Sequence, residues 1–203
     1  MSEQVCYPKI KNQGLRGITV ADTQVSMVNG EKGELIYRGY MIGDLAKYCT
    51  FEEVIYLLLY GALPSDAQLV EVDRELKARR AVPPQVLDAL SHHPKDAHPM
   101  DVLQSAVPFL APHAEPKGNE KDEVRQRSLG LVAQLATVVA AWDRIRQGLS
   151  AVAPDPELGH AANFLYMLNG TAPGEKATHT FDVCLSLHAD HTFNASTFAA
   201  REV

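Results

Sequence analysis

A chain of 203 residues with 46% hydrophobic and 22% charged residues has the composition of an ordinary globular protein, long enough for one sizeable core or a large domain with a smaller appendage. Its formal net charge of -6 counts against a nucleic-acid binder, because phosphate contacts need a basic surface, and against a protein lying on a membrane surface. No apolar run reaches the roughly 20 residues of a bilayer-spanning helix. Met1-Ser2-Glu3-Gln4 lacks the basic and apolar stretches that open a secretory signal. Cys6, Cys49 and Cys184 are far apart and odd in number. They read as buried or half-buried reduced thiols of a cytoplasmic protein rather than a disulfide framework.

The first element in chain order is β. Thr23 to Val28 and Glu34 to Tyr37 flank Asn29-Gly30-Glu31-Lys32-Gly33, a polar segment whose Gly and Asn accept the positive φ of hairpin turns. Two short strands cannot make a core, so the hairpin must lie on something helical. Thr50 with Glu53 forms a capping box before Val54, Ile55, Leu57, Leu58 and Leu59, and Gly61 and Pro64 end that run. Ser65 with Gln68 repeats the device and opens a more charged helix through Leu69, Val72 and Leu76 to about Arg80. Pro83-Pro84 starts a short helix ending near Leu90. Pro99 starts another, which Pro108 should kink or end.

Pro112 to about Glu123 is rich in Pro, Gly, Asn and charge and reads as a surface loop. A long helix follows from Glu123 to Gln147. Leu131, Leu135, Val138, Trp142 and Ile145 form one stripe, which Leu129, Val132, Ala136 and Val139 widen beyond a single face. Such a helix must be buried in a large core or against a partner chain. Helices over Glu157 to Leu168, from about Lys176 to His188, and from Thr197 to Val203 complete an all-α class.

Of eight histidines, most suit structural or solvated roles: His92, His93, His98 and His113 beside prolines in loop-like sequence, and His160 and His179 singly on helices. The exception is His188-Ala189-Asp190-His191-Thr192-Phe193-Asn194, which follows the apolar Val183-Cys184-Leu185-Ser186-Leu187 and so should emerge from a buried helix end. Polar groups this dense at the edge of a core are costly unless they meet each other or a ligand. Three readings are open. Imidazoles could cap the last carbonyls of the helix. Cys184, His188 and His191, which share a helical face, could hold a metal, though no fourth ligand has suitable spacing. Or imidazole N–H groups and the Asn194 amide could bind an anionic substrate, taking a carboxylate or keto oxygen without the cost of a buried lysine.

The run Leu187-His188-Ala189-Asp190-His191-Thr192-Phe193-Asn194-Ala195-Ser196-Thr197-Phe198 resembles the histidine segment of citrate synthases. Four further landmarks occur in family order. They are Gly33-Glu34-Leu35-Ile36-Tyr37-Arg38-Gly39-Tyr40 with Asp44-Leu45, Phe51-Glu52-Glu53-Val54 through Pro64, His98-Pro99-Met100-Asp101-Val102-Leu103, and Asn163-Phe164-Leu165-Tyr166-Met167-Leu168-Asn169-Gly170. The resemblance covers nearly all of Gly14 to Val203. It implies a citrate-synthase-like multi-helical large domain. Residues 1–40 would be an N-terminal segment with the β-hairpin and 41–203 a helical large-domain portion, the small domain and C-terminal helices being absent.

By resemblance, the activity is a Claisen-type condensation of acetyl-CoA or propionyl-CoA with oxaloacetate, giving citrate or 2-methylcitrate and CoA. His191 matches the oxaloacetate-binding histidine, with Asn194 and His188 near it; acyl-CoA and CoA are substrate and product, and no metal or covalently bound cofactor is implied. The family's enolising histidine, aspartate base, substrate arginines and CoA loops have no counterpart in these residues, so the chain is expected to be an N-terminal portion, inactive alone. The resemblance also implies a homodimer, with the helix from Pro99 and that over Leu131 to Ile145 at its interface. A second reading is a non-catalytic helical dimerisation module.

Overall fold

The computed structural model describes residue 19, residues 21–111 and residues 120–202. Cys6, His113, Val203 and most of the anticipated loop from Pro112 lie outside the described residues. In chain order come three strands and nine helices among the described residues. The strands are β1 Ser26–Asn29, β2 Glu34–Tyr37 and β3 Tyr40–Met41. The helices are α1 Ile42–Tyr48, α2 Phe51–Tyr60, α3 Asp66–Arg79, α4 Pro84–Ser91, α5 Pro99–Leu110, α6 Glu120–Arg146, α7 His160–Asn169, α8 Glu175–Leu187 and α9 Ala195–Glu202. The all-α class holds.

The hairpin is present with a third strand added. β1 and β2 pair antiparallel with Asn29 opposite Glu34, and the Asn29 side chain accepts from the Lys32 N–H in the loop between them. β3 pairs with β2, Tyr37 facing Tyr40, across Arg38-Gly39. Both turn residues have positive φ, 49° and 92°, as a two-residue turn of the hairpin-matching hand requires. Arg38 is an unusual occupant, and it is held there: its N–H donates to the Val25 carbonyl and its Nη2 to the Leu58 carbonyl. An Arg-Gly pair is a weak turn signal, which is why β3 escapes a reading from sequence.

Both predicted capping devices form. Thr50 N–H donates to Glu53 Oε2 at 2.7 Å and Thr50 Oγ1 accepts from the Glu53 N–H at 3.4 Å; Ser65 N–H donates to Gln68 Oε1 at 2.9 Å. Gly61 ends α2 and Gly170 ends α7 at φ 92° and 76°, conformations a side chain would strain. Pro108 does not end α5, which runs two residues past it to Leu110; so near the C-terminus the ring disturbs only one turn. α6 begins at Glu120, earlier than expected, and α7 begins at His160, not Glu157. Leu158 and Asp155 keep non-helical backbone because their carbonyls accept from the Arg80 guanidinium, at 2.7 and 3.0 Å.

α6, 27 residues and so about 40 Å long at 1.5 Å per residue, is the spine, packed on α3, α4, α5 and α7. Two apolar clusters lie along it and a third sits under the hairpin. Val82, Val86, Leu90, Val102, Ala106 and Leu110 from α4, α5 and the preceding turn meet Val138, Ala141 and Trp142 of α6. Phe51, Ile55, Val72 and Leu76 of α2 and α3 meet Leu129 and Ala133. Tyr37 of β2 joins Leu45, Val54 and Leu57. The anticipated stripe of α6 is only partly the buried one. Leu129, Ala133, Val138, Ala140, Ala141 and Trp142 are inside, whereas Leu131 and Val139 remain 40% exposed.

Candidate functional site

The histidine segment joins α8 to α9, and its fixed point is Ala189, which packs against both the α2–α3–α6 cluster and the cluster around Tyr37. Contrary to expectation, the end of α8 is not deeply buried: Ser186 is its fully buried residue, while Leu187 is 39% exposed and Cys184 is an exposed thiol. His188 occupies the C-cap position. Its Nδ1 lies 2.7 Å from the Cys184 carbonyl, and because a carbonyl only accepts, this nitrogen carries the hydrogen. Helix capping is therefore real for His188. The same bond leaves Nε2 as the nitrogen open to a ligand, an acceptor while the ring is neutral and a donor once it is protonated.

Asn194 Oδ1 accepts from the Thr197 N–H at 2.7 Å, closing the first turn of α9. With its oxygen occupied, the Asn194 side chain offers its amide N–H groups outward. His191 stands between these two residues with neither ring nitrogen bonded to a described residue, and all three side chains are exposed in the isolated chain. Two imidazoles and a primary amide are thus gathered within seven residues; His191 and the Asn194 amide can each donate to an anion, and His188 can do so once its ring is protonated. Among the described residues no three His, Cys, Asp or Glu side chains converge as a metal site, so Cys184, His188 and His191 are not brought together.

The segment is shaped from the other end of the chain. The Tyr37 hydroxyl, on a fully buried residue, donates to the Asp190 carbonyl at 2.9 Å and accepts from the Asp190 N–H at 3.1 Å. Burial pushes the phenol above its ordinary range, so its proton stays in place. Asp190 Oδ2 accepts from the Ser26 hydroxyl in a very short contact and from the Thr192 N–H at 3.0 Å. Thr192 has φ 74°, a conformation that a β-branched residue adopts only when its surroundings impose it. Sequence reading missed Ser26 and Tyr37 altogether. They lie more than 150 positions from Asp190, and a Ser and a Tyr in a strand carry no local mark of such a partner.

Two hollows bear on where a ligand could sit. One of about 260 Å³ is lined by Ala21, Thr23, Val25, Asp190, Thr192 and Phe193, the neighbours of His191, but not by His191, His188 or Asn194 themselves. A larger, more open one of about 700 Å³ lies by the N-terminal part of α8. Its walls include the carboxylates of Glu52, Asp73, Glu175 and Asp182 and no Lys or Arg, so it would repel a dicarboxylate. At its base is a buried polar group absent from the sequence reading. Glu52 Oε1 accepts from the His160 N–H at 2.8 Å, and Arg80, 1% exposed, lies behind. Burial raises the Glu52 carboxyl and lowers the Arg80 guanidinium. It also drives His160, with help from the Arg80 charge, down to about 4. This is structural: His160 is buried as a neutral ring against Phe51.

The remaining histidines fall mostly as anticipated. His92 bonds the Asp88 carbonyl and His98 accepts from the Met100 N–H, both exposed, and His179 is exposed on α8. His93 departs from the solvated reading. It is half-buried, edge-on to Trp142 at 6.1 Å and bonded to Ser105 at 2.9 Å.

Comparison with known proteins points one way. Residues 14–203 match the family model described as the citrate synthase C-terminal domain. The citrate synthase of Haloferax volcanii is 43% identical over 195 residues, covering 93% of this chain and 51% of that protein. The 2-methylcitrate synthase of Mycobacterium tuberculosis is 40% identical over 196 residues, covering 97% and 49%. The crystal structure of citrate synthase from Pyrobaculum aerophilum superimposes with a TM-score of 0.84 at 36% identity, covering 98% of this chain and 54% of that one. The chain therefore spans about half the length of the curated relatives it matches. With this superposition and a family match over almost its entire length, the chain belongs to the citrate synthase family.

Proposed function

We propose that this chain supplies the oxaloacetate-binding wall of an enzyme that condenses acetyl-CoA or propionyl-CoA with oxaloacetate. The observation that carries the reading is the arrangement of the histidine segment. His191 has both ring nitrogens uncommitted, Asn194 has its oxygen tied and its N–H groups free, and His188 is capped through Nδ1 alone. The neutral His191 ring and the Asn194 amide are donors that stabilise the oxygens of a keto acid, including the alkoxide that forms at its keto carbon, without burying a full positive charge, and His188 adds a donor at Nε2 only when its ring is protonated. In the condensation an acyl-CoA α-carbon gives a proton to a carboxylate base, the resulting enolate attacks that keto carbon, and the alkoxide so formed takes up a proton. Hydrolysis of the new thioester then releases CoA and the tricarboxylate. By family resemblance, the base and the acyl pocket come from polypeptide beyond the matched half, so the choice between acetyl and propionyl donors lies there too.

The reading includes a homodimer joined along α5 and α6. Met100 and Phe109 of α5 and Val124, Leu131 and Val139 of α6 leave apolar side chains on the surface, and exposed apolar groups are what a partner covers. No described helix is long and apolar enough to cross a membrane, and the chain is read as acting in the cytoplasm. The test supplies the remainder of a family member in trans and follows CoA release from acetyl-CoA and propionyl-CoA with oxaloacetate. A folded complex that releases none from either donor overturns the enzymatic reading. It would leave the helical dimerisation module, which predicts that His191→Ala changes nothing measurable.

A further inference from the structure

We propose that Tyr37 and Ser26 are positioning residues for His191: from the β-hairpin they clamp Asp190, and through Asp190 they hold Thr192 at positive φ, so that His191 between them is presented in one place. The proposal rests on the reading of His191 as a dicarboxylate ligand, and its test separates the two.

Among the described residues neither flanking helix hydrogen-bonds Asp190 to Phe193, and α9 reaches them only through the Arg201 guanidinium, 5.4 Å from the Phe193 ring. The bonds of α8 to the segment stop at His188 and Ala189, whose N–H groups reach Leu185 and Ser186, and those of α9 start at Asn194. From Asp190 to Phe193 the hydrogen bonds among the described residues involve only the hairpin and Asp190 itself. One phenol oxygen takes both backbone polar groups of Asp190, donating to its carbonyl and accepting from its N–H. A tyrosine hydroxyl can do both at once, and no other group at the end of a buried ring could replace it. The Asp190 carboxylate, steadied by Ser26, then accepts the N–H of Thr192 two residues on, the turn by which aspartate bends the chain at its own position.

Without that hold, Thr192 at φ 74° has every steric reason to return to the extended region, carrying His191 with it. The Tyr37 ring packs in the core beside Leu45, Val54 and Leu57, in the cluster that Ala189 covers, and its hydroxyl alone makes polar contact with the segment. Removing the hydroxyl therefore separates positioning from packing.

The experiment uses the isotope-labelled 203-residue chain. It measures amide hydrogen exchange site by site and the His191 ring signals by NMR, with and without oxaloacetate. Tyr37→Phe and Ser26→Ala are each expected to speed exchange at Asp190 and Thr192 at least tenfold while the cores of α2 and α6 exchange as before. They should also shift the His191 ring signals and weaken oxaloacetate at least fivefold, and Ser26→Thr, which restores a hydroxyl, should recover protection at Thr192. Exchange at both amides unchanged in Tyr37→Phe and Ser26→Ala overturns the clamp. Exchange accelerated equally in α2 and α6 also overturns it, since the hydroxyls would then serve general stability. Wild-type His191 signals that oxaloacetate leaves unmoved overturn the ligand reading, while the exchange result still decides the clamp.

Discussion

His160→Leu should remove a defined part of the pH dependence of stability. The ring is 4% exposed, lies 5.5 Å from that of Phe51, and titrates at about 4 because it is desolvated first and faces the Arg80 charge second. The unfolded chain takes up this proton near pH 6.5, the folded chain only near pH 4. Between those values the unfolded state binds more protons, so His160 contributes stability that is present above pH 6.5 and lost as the pH falls toward 4. The displacement corresponds to about 3 kcal/mol between roughly pH 7 and pH 4.

Glu52 acts in the opposite sense. Burial raises its carboxyl, so its contribution is present at low pH and lost as the pH rises through the folded value. The His160 contribution is therefore isolated by difference. Urea unfolding of the wild type and of His160→Leu, followed by circular dichroism at several pH values, gives two stability profiles. Their difference should grow in favour of the wild type by about 3 kcal/mol from roughly pH 4 to pH 7. Parallel profiles, or a difference that shrinks as pH rises, would refute the buried neutral ring.

Trp142→Ala opens a void among Val102, Ala106 and Val138 and should cost about 3–5 kcal/mol in chemical denaturation; a loss under about 1 kcal/mol would mean that this cluster is not close-packed. Asn194→Ala deprives the Thr197 N–H of its acceptor and should destabilise α9 locally by about 1 kcal/mol. Backbone chemical shifts of residues 195–202 that stay helical at their wild-type values would contradict this. Val139→Glu places a charge on the exposed face of α6 and is expected to leave helix content intact while converting a dimer to a monomer in sedimentation velocity. An unchanged sedimentation coefficient would count against the proposed homodimer along α6.

Where a structural feature is decided within a few neighbouring residues, it could be read from the sequence. The capping boxes at Thr50 and Ser65, the glycine stops at Gly61 and Gly170 and the proline start at Pro99 each act over one helical turn, so α2 to α9 were legible in order, while the seven-residue α1, which has no side-chain cap, was not. The histidine segment was legible too, as an unusual density of polar groups after an apolar run. What required tertiary structure was the choice among alternatives that local chemistry leaves equal. Leu131 and Val139 are as apolar as Leu129 and Val138, and which face of α6 turned inward was settled by α3, α4, α5 and α7 packing on it. Arg80 resembles any cation at a helix end until the carbonyls of Asp155 and Leu158 enclose it. The shape of the candidate site depends on Ser26 and Tyr37, over 150 residues from the Asp190 they hold. A hydrogen bond forms between groups that folding brings within about 3 Å, and nothing in either short stretch of sequence records which distant stretch will arrive there.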